Sequence, residues 1–490
     1  MRKYGHWIDG VETTAADFIE RRSPGDGELI AAFAAGTADD MAAAVKAASD
    51  VFEARTWADM PAGDRSKILN RWADLIEANA ERLAPIEALE SGKPIKYAHG
   101  EIGGSIDMIR FAASLGLTSR GDAITSLGEN KLGLVTQEPL GVVGMIVPWN
   151  FPMVCLFQKL PFALAAGCSA VIKPSELTSG TALEVAKLAA EAGIPDGVIN
   201  VVTGAGDVVG EALVRDPRVR LVSFTGSTRV GSQIGAKVGE RIGRVALELG
   251  GKGANVVFAD ADIEAAVDGV LFGLLLNMGE ECAQGARLII EKSIAESFVE
   301  ELCRRSEKVR VRHPMDPEGD VGALIHEGHL ESVLRHIERA KEDGAKIAIG
   351  GTRLTEGDLA NGFYIGTTVV TDVKPDMSIF REEVFGPVLT VTTFETLDEA
   401  VALANDTEYG LANGVWSKNI DTLHLVARRL RSGTVYANTY FETSPHMPFG
   451  GYGNSGVGRE LGLRALDEFV EYKSTFLRIG ERPHNYPHTL

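Results

Sequence analysis

Apolar and polar positions alternate in blocks through the middle of the chain, beginning near residue 140. The short apolar runs that predict buried strands are 141–147, 170–173, 198–202 and 221–225. The segments between these runs predict helices. The first ends near 166, and the next two cover 179–192 and 208–214. Short β-rich strands separated by helices are typical of a parallel, doubly wound α/β sheet.

A second series of the same kind begins near residue 255. Its predicted strands are 255–258, 287–290 and 388–394, and its predicted helices are 294–309 and 331–343. The glycine pair Gly250-Gly251 separates the two series, so we predict two α/β domains that divide there. Apolar spacing predicts that 37–120 is mostly helical. Two stretches, 121–139 and 466–480, fit neither series and are predicted as extended strands.

Length and composition narrow the class of protein. A chain of 490 residues, 45% of them hydrophobic, is long enough for two or three domains with sizeable cores. Its formal net charge of −19 repels phosphates, which argues against duplex DNA or an anionic membrane as a partner. The first ten residues contain no apolar stretch of the secretory type, so we expect a cytoplasmic protein.

The cysteines and histidines exclude several kinds of site. Four cysteines in a chain of this length do not make a disulfide framework, and no two of them have the C-x-x-C spacing of a zinc or redox motif. Cys155, Cys168 and Cys303 lie in apolar or helical surroundings and are expected to be inert thiols. His326 and His329 are three positions apart, whereas a zincin helix needs four, so we expect no metal.

The remaining cysteine, Cys282, is the main candidate for chemistry. It lies in a turn-prone segment of small residues, which would leave its thiol open to a ligand. Earlier in the chain, Glu248 ends an apolar run and precedes a pair of glycines. A nucleophile and a potential general base in such settings predict covalent catalysis followed by hydrolysis.

Two motifs at strand ends suggest a dinucleotide. Thr-Gly-Ser-Thr-Arg-Val-Gly at 225–231 follows a strand and opens a helix, whose free N–H groups can bind a pyrophosphate. Its glycine spacing differs from G-x-G-x-x-G, and a plain βα turn is the alternative. Lys-Pro-Ser-Glu at 173–176 also follows a strand, and a carboxylate there can accept hydrogen bonds from a ribose. A solvated loop is the alternative.

Two further motifs combine polar side chains with rigid corners. Asn150 lies between two prolines in Pro-Trp-Asn-Phe-Pro at 148–152, where its amide can donate to a developing oxyanion. A plain turn is the alternative. In 382–387, the two carboxylates Glu382 and Glu383 and the ring of Phe385 precede a Gly-Pro break, so one carboxylate can bind a ribose and the ring can pack on a nicotinamide. An acidic loop with a core phenylalanine is the alternative.

Taken in order, these motifs resemble those of the aldehyde dehydrogenase superfamily. The series continues through Glu-Leu-Gly-Gly-Lys at 248–252, Gly-x-x-Cys at 279–282 and Pro-Phe-Gly-Gly-Tyr at 448–452, and the resemblance spans 23–473. It implies an α/β fold with two doubly wound parallel-sheet domains and a small β flap for oligomerisation. The implied dinucleotide-binding domain is 1–120 with 140–250, the catalytic domain is 251–450, and the flap is 121–139 with 466–490.

The resemblance also implies roles for individual residues. Cys282 would be the nucleophile, Glu248 would activate the hydrolytic water, and Asn150 with the Cys282 N–H would form the oxyanion hole. Lys159 and Glu460 match positions that relay protons. Lys173 and Glu176 would hold the adenosine ribose, Ser227 the pyrophosphate, and Glu383 with Phe385 the nicotinamide end. The other cofactor positions implied are Ile146, Pro148, Trp149, Ser175, Gly206, Phe224, Gly226, Leu249 and Gly250.

These roles predict an NAD(P)-dependent enzyme that converts an aldehyde to a free acid through a cysteine thiohemiacetal and thioester. NAD is favoured over NADP because Glu176 would repel a 2′-phosphate, although it can swing aside and let Lys173 meet one. Two alternatives stay open. A coenzyme A-acylating relative would lack Glu248, and a non-catalytic scaffold would not need Asn150, Glu248 and Cys282 together.

The substrate is less defined than the reaction. Many relatives carry an uncharged residue before the cysteine, whereas this chain has Glu281, whose charge should raise the thiol pKa. With Asp107 and Glu442 it would favour a cationic aldehyde, such as an aminoaldehyde or betaine aldehyde. The alternative is that these carboxylates point into solvent. Phe151 and Phe441 are further candidates for substrate contact. We expect a homodimer or homotetramer, since the C-terminal strand would otherwise be an exposed edge.

Overall fold

The N-terminal part of the molecule combines short strands with four long helices. A computed structural model of the chain describes residues 1–481, and the last part of the predicted flap, 482–490, lies outside the described residues. The elements of this part are β1 (Arg2–Tyr4), β2 (His6–Ile8), β3 (Val11–Thr13), β4 (Phe18–Arg22), β5 (Leu29–Ala34), α1 (Ala38–Glu53), α2 (Ala62–Ala78), α3 (Ala80–Ser91), α4 (Ile95–Gly116), β6 (Asp122–Ile124) and β7 (Lys131–Pro139).

The next part alternates strands and helices, as its sequence predicts. Its elements are β8 (Val142–Ile146), α5 (Pro152–Phe157), α6 (Leu160–Ala166), β9 (Ser169–Lys173), α7 (Gly180–Ala192), β10 (Ile199–Val201), α8 (Glu211–Arg215), β11 (Val219–Thr225), α9 (Thr228–Glu240) and β12 (Arg244–Glu248). The predicted helix 208–214 begins instead as a short π-helical turn over Gly206–Gly210, which runs into α8.

The C-terminal part contains a second alternating series and two late strands. Its elements are β13 (Ala254–Val257), α10 (Ile263–Leu275), β14 (Arg287–Glu291), α11 (Ala295–Ser306), α12 (Glu327–Glu342), β15 (Lys346–Ile349), β16 (Arg353–Leu354), β17 (Tyr364–Ile365), β18 (Thr368–Thr371), α13 (Ser378–Arg381), β19 (Val388–Phe394), α14 (Leu397–Asn405), β20 (Ala412–Trp416), α15 (Ile420–Arg429), β21 (Thr434–Ala437), β22 (Gly456–Val457) and β23 (Val470–Arg478).

Two large sheets organise these elements. The first has the order β22-β12-β11-β8-β9-β10-β2-β3, with parallel pairing from β12 to β10. The second has the order β15-β18-β19-β14-β13-β20-β21 and is parallel from β18 to β21. The predicted α/β class with two parallel, doubly wound sheets is therefore confirmed. The strands also separate near Gly250-Gly251, although the exact domain bounds stay a prediction.

Helices cover both faces of the first sheet. On one face, a buried cluster contains Trp72 of α2, Phe157 of α5 and Phe162 of α6. On the other face, α1, α8 and α9 supply Val45, Leu213 and Val238. Each helix buries its apolar stripe against the sheet, which is the layer arrangement that its sequence period predicts.

Several further details differ from the sequence prediction. Strands β2 and β3 extend the first sheet at one edge, and β22 returns from the C-terminal segment to its other edge. The helix predicted at 331–343 begins earlier, at Glu327, because the Nδ1 atom of His326 accepts a hydrogen bond from the N–H of His329 and caps it. The helix predicted at 294–309 is shortened to α11.

A separate three-stranded sheet projects from the two large ones. Strand β23 pairs antiparallel with β7 along its whole length, and β6 completes the order β23-β7-β6. Both predicted orphan stretches thus form strands of one sheet, as expected from their sequences. Within residues 1–481, no helix is both long and apolar enough to cross a bilayer.

Candidate active site

A cavity of about 600 Å³ contains the two residues expected to do the chemistry. Cys282 and Glu248 both line it. Its walls come from α4, α5, the segment that follows α10, and the loop between β21 and β22. A cavity of this size is in the range of small-molecule sites.

The segment that carries Cys282 has a strained backbone. Asn277, Met278 and Gly279 follow α10 with φ values of 51°, 60° and 74°, so three successive residues are left-handed. Such a conformation costs a non-glycine residue on the order of 1–3 kcal/mol and persists only when its surroundings enforce it. The Asn277 amide supplies part of this support, because its Nδ2 donates to the carbonyl oxygens of Asn150 at 2.9 Å and Glu280 at 3.0 Å.

Two further side chains anchor the same segment. The Nε2 atom of Gln284 donates to the carbonyl oxygens of Leu274 at 2.9 Å and Gly386 at 2.8 Å. The buried Glu280 accepts a hydrogen bond from the N–H of Ile325 at 2.9 Å. Sequence reasoning missed Asn277, Glu280 and Gln284, although amide and acid side chains so close to a candidate nucleophile were a usable signal.

Asn150 lies directly against the cysteine segment. Its Nδ2 donates to the carbonyl oxygen of Glu280 at 2.9 Å, which commits one of its two amide hydrogens. Its own carbonyl oxygen accepts a hydrogen bond from the Nζ of Lys93 at 2.8 Å. Lys93 is fully buried, forms an ion pair with Glu101 and lies 4.6 Å from the ring centroid of Phe151. Sequence reasoning missed Lys93, because it is far from Asn150 along the chain.

The thiol of Cys282 is not activated by its surroundings. Burial raises its pKa well above the ordinary value, and the neighbouring carboxylate of Glu281 raises it further. The Oε1 atom of Glu281 lies 3.7 Å from the Cys282 Sγ. Burial also raises the pKa of Glu281, to about 7. This arrangement differs from reactive cysteines whose neighbours are cationic.

Glu248 lies at the end of β12 with one carboxylate oxygen, Oε2, that is buried without a hydrogen-bond partner among the described residues. Burial raises its pKa well above the ordinary value, and Glu460 adds to the rise. Lys159 and Glu460 form a buried ion pair, and the Lys159 Nζ also donates to the Oγ1 of Thr225 at 2.7 Å. Thr225 is directly opposite Glu248 in the sheet, so these groups are contiguous.

Cofactor positions predicted from the sequence meet at the carboxyl ends of the first sheet. Ile146 is opposite both Lys173 and Phe224 in the register of three adjacent strands. The chain order reverses between β8 and β11, and nucleotides bind at such switch points. Ser227 follows β11 and caps α9 by accepting a hydrogen bond from the N–H of Val230 at 3.4 Å.

The ribose candidates lie beside this crevice. The Nζ of Lys173 is 3.2 Å from the Oε2 of Glu176, and the side chain of Glu176 is 42% exposed. Ser175, which lies between these two residues in the sequence, is buried. A Cβ atom on Gly206 would meet nothing within 4 Å, so the crevice is open at that point.

Gly250 and Gly251 allow three loops to meet. A Cβ atom on Gly250 would lie 2.5 Å from the Oε2 of Glu383, and one on Gly251 would lie 2.1 Å from the carbonyl oxygen of Cys282. At Gly250 an added Cβ would displace the end of the flexible Glu383 side chain, whereas at Gly251 it would meet backbone and no other residue fits. The N–H of Gly251 also donates to the Oε1 of Glu383 at 2.7 Å. Glu383 is thereby held beside the cysteine segment, next to the buried Leu249.

An aromatic group completes the predicted nicotinamide side. Phe385 has a φ of 60°, and its ring centroid lies 5.4 Å from that of Trp149 in an edge-to-face arrangement. The preceding Pro148 fixes the corner that carries Trp149 and Asn150. The Nε2 of His329 is 2.7 Å from the carbonyl oxygen of Phe385, so one of the two histidines of 326–329 supports this loop.

All five candidate substrate residues line the cavity, whereas none of the cofactor candidates does within the described chain. The five are Asp107, Phe151, Glu281, Phe441 and Glu442. Cys155, expected to be an inert core thiol, is buried but also lines the cavity. The two groups of candidates therefore differ in whether they line this cavity, and the roles assigned to both groups stay predictions.

Comparison with known proteins identifies the family. A model described as aldehyde dehydrogenase family matches residues 10–475. The chain is 39% identical to a betaine aldehyde dehydrogenase of Bacillus subtilis, with 96% of each chain covered, and 40% identical to the NADP/NAD-dependent aldehyde dehydrogenase PuuC of Escherichia coli, covering 96% of this chain and 95% of that protein.

Solved structures agree with the sequence comparison. A crystal structure of an NAD-dependent aldehyde dehydrogenase from Sinorhizobium meliloti superposes with a TM-score of 0.97 at 44% identity, covering 99% of this chain and 96% of that one. A betaine aldehyde dehydrogenase from Staphylococcus aureus in complex with NAD⁺ has a TM-score of 0.97 at 36% identity, covering 99% and 97%. The resemblance expected from the motifs is confirmed, and the chain belongs to the aldehyde dehydrogenase family.

Proposed function

We propose that this chain oxidises a cationic aldehyde to the free carboxylic acid with NAD, NADP being a second possible cofactor. The observation that carries the proposal is that Cys282 and Glu248 line one cavity while Asn150 is fixed against the cysteine segment. A nucleophile, a base and an oxyanion donor then surround one reactive carbon. A non-catalytic scaffold has no need for this convergence.

In the first step, the Cys282 sulfur attacks the aldehyde carbon and forms a thiohemiacetal. The uncommitted amide hydrogen of Asn150 and the N–H of Cys282 donate to the oxyanion. Removing one such preorganised donor costs on the order of 3–4 kcal/mol of transition-state stabilisation. The strained segment at Asn277–Gly279 holds the sulfur in this position before substrate arrives.

The thiohemiacetal becomes a thioester once its carbon has given up a hydride and its oxygen a proton, and in the second step this thioester is hydrolysed. Glu248 takes a proton from water, and burial makes its carboxylate a stronger base by raising its pKa. Its neighbours Lys159 and Glu460 form the buried pair through which that proton leaves towards solvent. The presence of Glu248 favours a free acid as the product over transfer to coenzyme A.

The cofactor residues of this chain fit a dinucleotide. The N-terminus of α9 offers N–H groups to a pyrophosphate, and the open space at Gly206 leaves room beside it. Glu176 and Lys173 would hold the adenosine ribose, and the carboxylate of Glu176 favours NAD over NADP. Glu383 and Phe385 would hold the nicotinamide end. When bound, the nicotinamide supplies the acceptor for the substrate hydride.

The charge of the cavity supports a cationic substrate. Five carboxylic acids line it, one of which, Glu101, is paired with Lys93 behind the wall, and no Lys, Arg or His lines it among the described residues. The acids are Glu101, Asp107, Glu248, Glu281 and Glu442. Aromatic side chains, including Tyr97, Phe151, Tyr436 and Phe441, form part of the same wall. Carboxylates and aromatic faces together attract ammonium groups, so an aminoaldehyde or betaine aldehyde suits this cavity.

The test is a steady-state panel of aldehydes with NAD and with NADP, repeated with Cys282→Ala. We expect NAD reduction that Cys282→Ala abolishes, and a higher kcat/KM for aminobutyraldehyde than for hexanal. Failure to reduce either cofactor with any aldehyde would contradict the reaction. A strong preference for hexanal would contradict only the substrate class. Acyl-coenzyme A formation upon addition of coenzyme A would favour the acylating alternative.

We also propose that the chain is a homodimer or homotetramer in the cytoplasm. Strand β23 is an edge of its sheet, and its exposed apolar residues include Tyr472, Phe476 and Leu477. A second copy covering this edge would bury them. A cytoplasmic location fits the chemistry, because the Cys282 thiol acts only when it stays reduced.

A further inference from the structure

Glu281 is the cavity residue that touches the nucleophile, yet neither step above uses it. Its Oε1 lies 3.7 Å from the Cys282 Sγ and accepts a hydrogen bond from the N–H of Ala283 at 3.2 Å. That bond fixes the carboxylate beside the sulfur. The same side chain lines the cavity, so it faces both the sulfur and the space that a substrate would occupy.

The charges around Glu281 do not neutralise it. Several titratable groups act on Glu281 or feel its charge. They are Cys282 beside it, Cys155 of α5, Lys93 before α4, Glu383 before β19, Tyr436 of β21, and Tyr440 in the loop after β21. Lys93 is the cation in this set, and it already pairs with Glu101 and donates to Asn150. The Cys282 sulfur therefore lies in a negative field.

We propose that Glu281 couples the reactivity of Cys282 to the charge of the substrate. In the substrate-free enzyme, the Glu281 carboxylate keeps the adjacent thiol protonated. A positively charged group that enters the cavity offsets this carboxylate, so the thiol loses its proton to solvent water. No other bond forms or breaks in this step. The inference rests on the proposed preference for a cationic aldehyde.

The physical basis is Coulomb interaction in a poorly solvated site. A second negative charge on sulfur at 3.7 Å from a carboxylate is strongly unfavourable where little water screens the pair. A cation bound in the same wall favours both negative groups. The effect of Glu281 on the Cys282 thiol therefore weakens when a cationic aldehyde is bound. A neutral aldehyde of the same size leaves this effect unchanged. Glu281 would thus determine specificity by making the reactivity of the Cys282 sulfur depend on the charge of the substrate.

The experiment measures the pKa of Cys282 without turnover. Ultraviolet thiolate absorption is followed as a function of pH in the full-length enzyme, and the signal of Cys282→Ala is subtracted. The proteins are the wild type, Glu281→Gln, and Glu442→Gln as a matched control. Glu442→Gln removes the same charge from the same cavity, but Glu442 is exposed to solvent, which screens its effect on the sulfur. Choline is the cationic probe and 3,3-dimethylbutanol is its neutral isostere.

We expect Glu281→Gln to lower the thiol pKa by about one to three pH units, the range for removing a close like charge, and Glu442→Gln to lower it less. Choline should lower the wild-type thiol pKa and the neutral isostere should not. The choline effect should be smaller in Glu281→Gln, because the carboxylate that helps to hold the cation is gone. Glu281→Ala must give the same direction if the glutamine variant does not fold.

Two results would overturn the inference. The first is an unchanged thiol pKa in both Glu281 variants, which would mean that the carboxylate does not restrain the sulfur. The second is a lowered pKa in those variants together with no effect of choline on the wild type, which would mean that substrate charge does not relieve the restraint. Neither result bears on whether the enzyme oxidises aldehydes, because the measurement involves no turnover.

Discussion

The Nζ of Lys93 donates a hydrogen bond to the carbonyl oxygen of Asn150, and the same ammonium group is the buried partner of Glu101. Lys93, which lies between α3 and α4, thus supports the backbone of Asn150, the predicted oxyanion donor. We predict that Lys93→Met lowers kcat, because the Asn150 corner loses its support. Its free energy of unfolding should fall by about 3–5 kcal/mol, since Glu101 is left as an unpaired buried carboxylate.

Urea unfolding and steady-state kinetics measure both effects. Lys96→Met is the matched control, because Lys96 forms a partly exposed ion pair with Asp320 at 2.8 Å. That change should cost about 1 kcal/mol or less and leave kcat unaltered. Equal effects of the two substitutions would show that Lys93 has no special role at Asn150.

Removing the predicted base should separate the two chemical steps. We predict that Glu248→Gln still forms the thioester but hydrolyses it slowly, because the glutamine cannot accept a proton from water. Rapid-mixing kinetics should show one equivalent of reduced cofactor per active site, followed by a slow phase. Glu240→Gln, an exposed change at the end of α9, should behave as the wild type. Loss of the initial burst in Glu248→Gln would mean that Glu248 also acts on the thiol.

A buried carboxyl outside the cavity should make stability depend on pH. Burial raises the pKa of Glu90 to about 8, so the folded protein keeps a proton there that the unfolded chain has lost above its ordinary value of 4.5. The Glu90 contribution is therefore present below 4.5 and declines as the pH rises towards 8, by at most about 1.4 kcal/mol per pH unit.

Urea unfolding of the wild type and Glu90→Gln at a series of pH values tests this sign. The difference between their unfolding free energies should change in favour of Glu90→Gln as the pH rises from 5 to 8. A constant difference across that range would mean that Glu90 has the same pKa in both states.

Close packing at Gly250 gives a prediction for the cofactor. The Cβ atom introduced by Gly250→Ala would meet the Glu383 carboxylate at 2.5 Å and displace it. We expect the KM for NAD to rise more than the KM for the aldehyde, because Glu383 is assigned to the nicotinamide side. Gly239→Ala in α9 is the control, since its Cβ would meet nothing within 4 Å and alanine favours a helix. Equal changes in both KM values would argue against the assignment.

The exposed edge of β23 gives a prediction for assembly. Phe476 is 76% exposed in the single chain, and we expect Phe476→Asp to shift sedimentation towards a smaller species. Ile420→Asp introduces the same charge at a similarly exposed apolar position at the start of α15 and should leave assembly unchanged. An unchanged sedimentation profile for Phe476→Asp would show that this edge does not carry the interface.

Local patterns in the sequence predicted much of the fold. Strands β8 to β11 of the first series, β13, β14 and β19 of the second, and most helices follow from apolar periodicity, which depends on near neighbours. The parallel strands β12, β18, β20 and β21 were not predicted. The early start of α12 was missed because a histidine cap is an uncommon signal. Strands β2, β3 and β22 were missed because they join the first sheet from distant parts of the chain. No local pattern contains such pairings.

The same limit applies to the site. Motif order was enough to single out Cys282, Glu248 and Asn150, which the structure brings together, because each lies in a distinctive short segment. Lys93 was not found, since its contact with Asn150 spans 57 positions of sequence. Cys155 was assigned to the core from its apolar neighbours, yet one side of α5 faces the cavity. Which face of a short helix meets a cavity depends on tertiary packing.

The left-handed run at Asn277–Gly279 has a consequence for how the molecule matures. Its restraints come from Asn150 at the end of the first sheet and from Ile325 and Gly386 around the second. A nascent chain with only one sheet formed cannot hold that bend, and its sulfur stays undirected. Catalytic competence is therefore expected only once the two halves have docked.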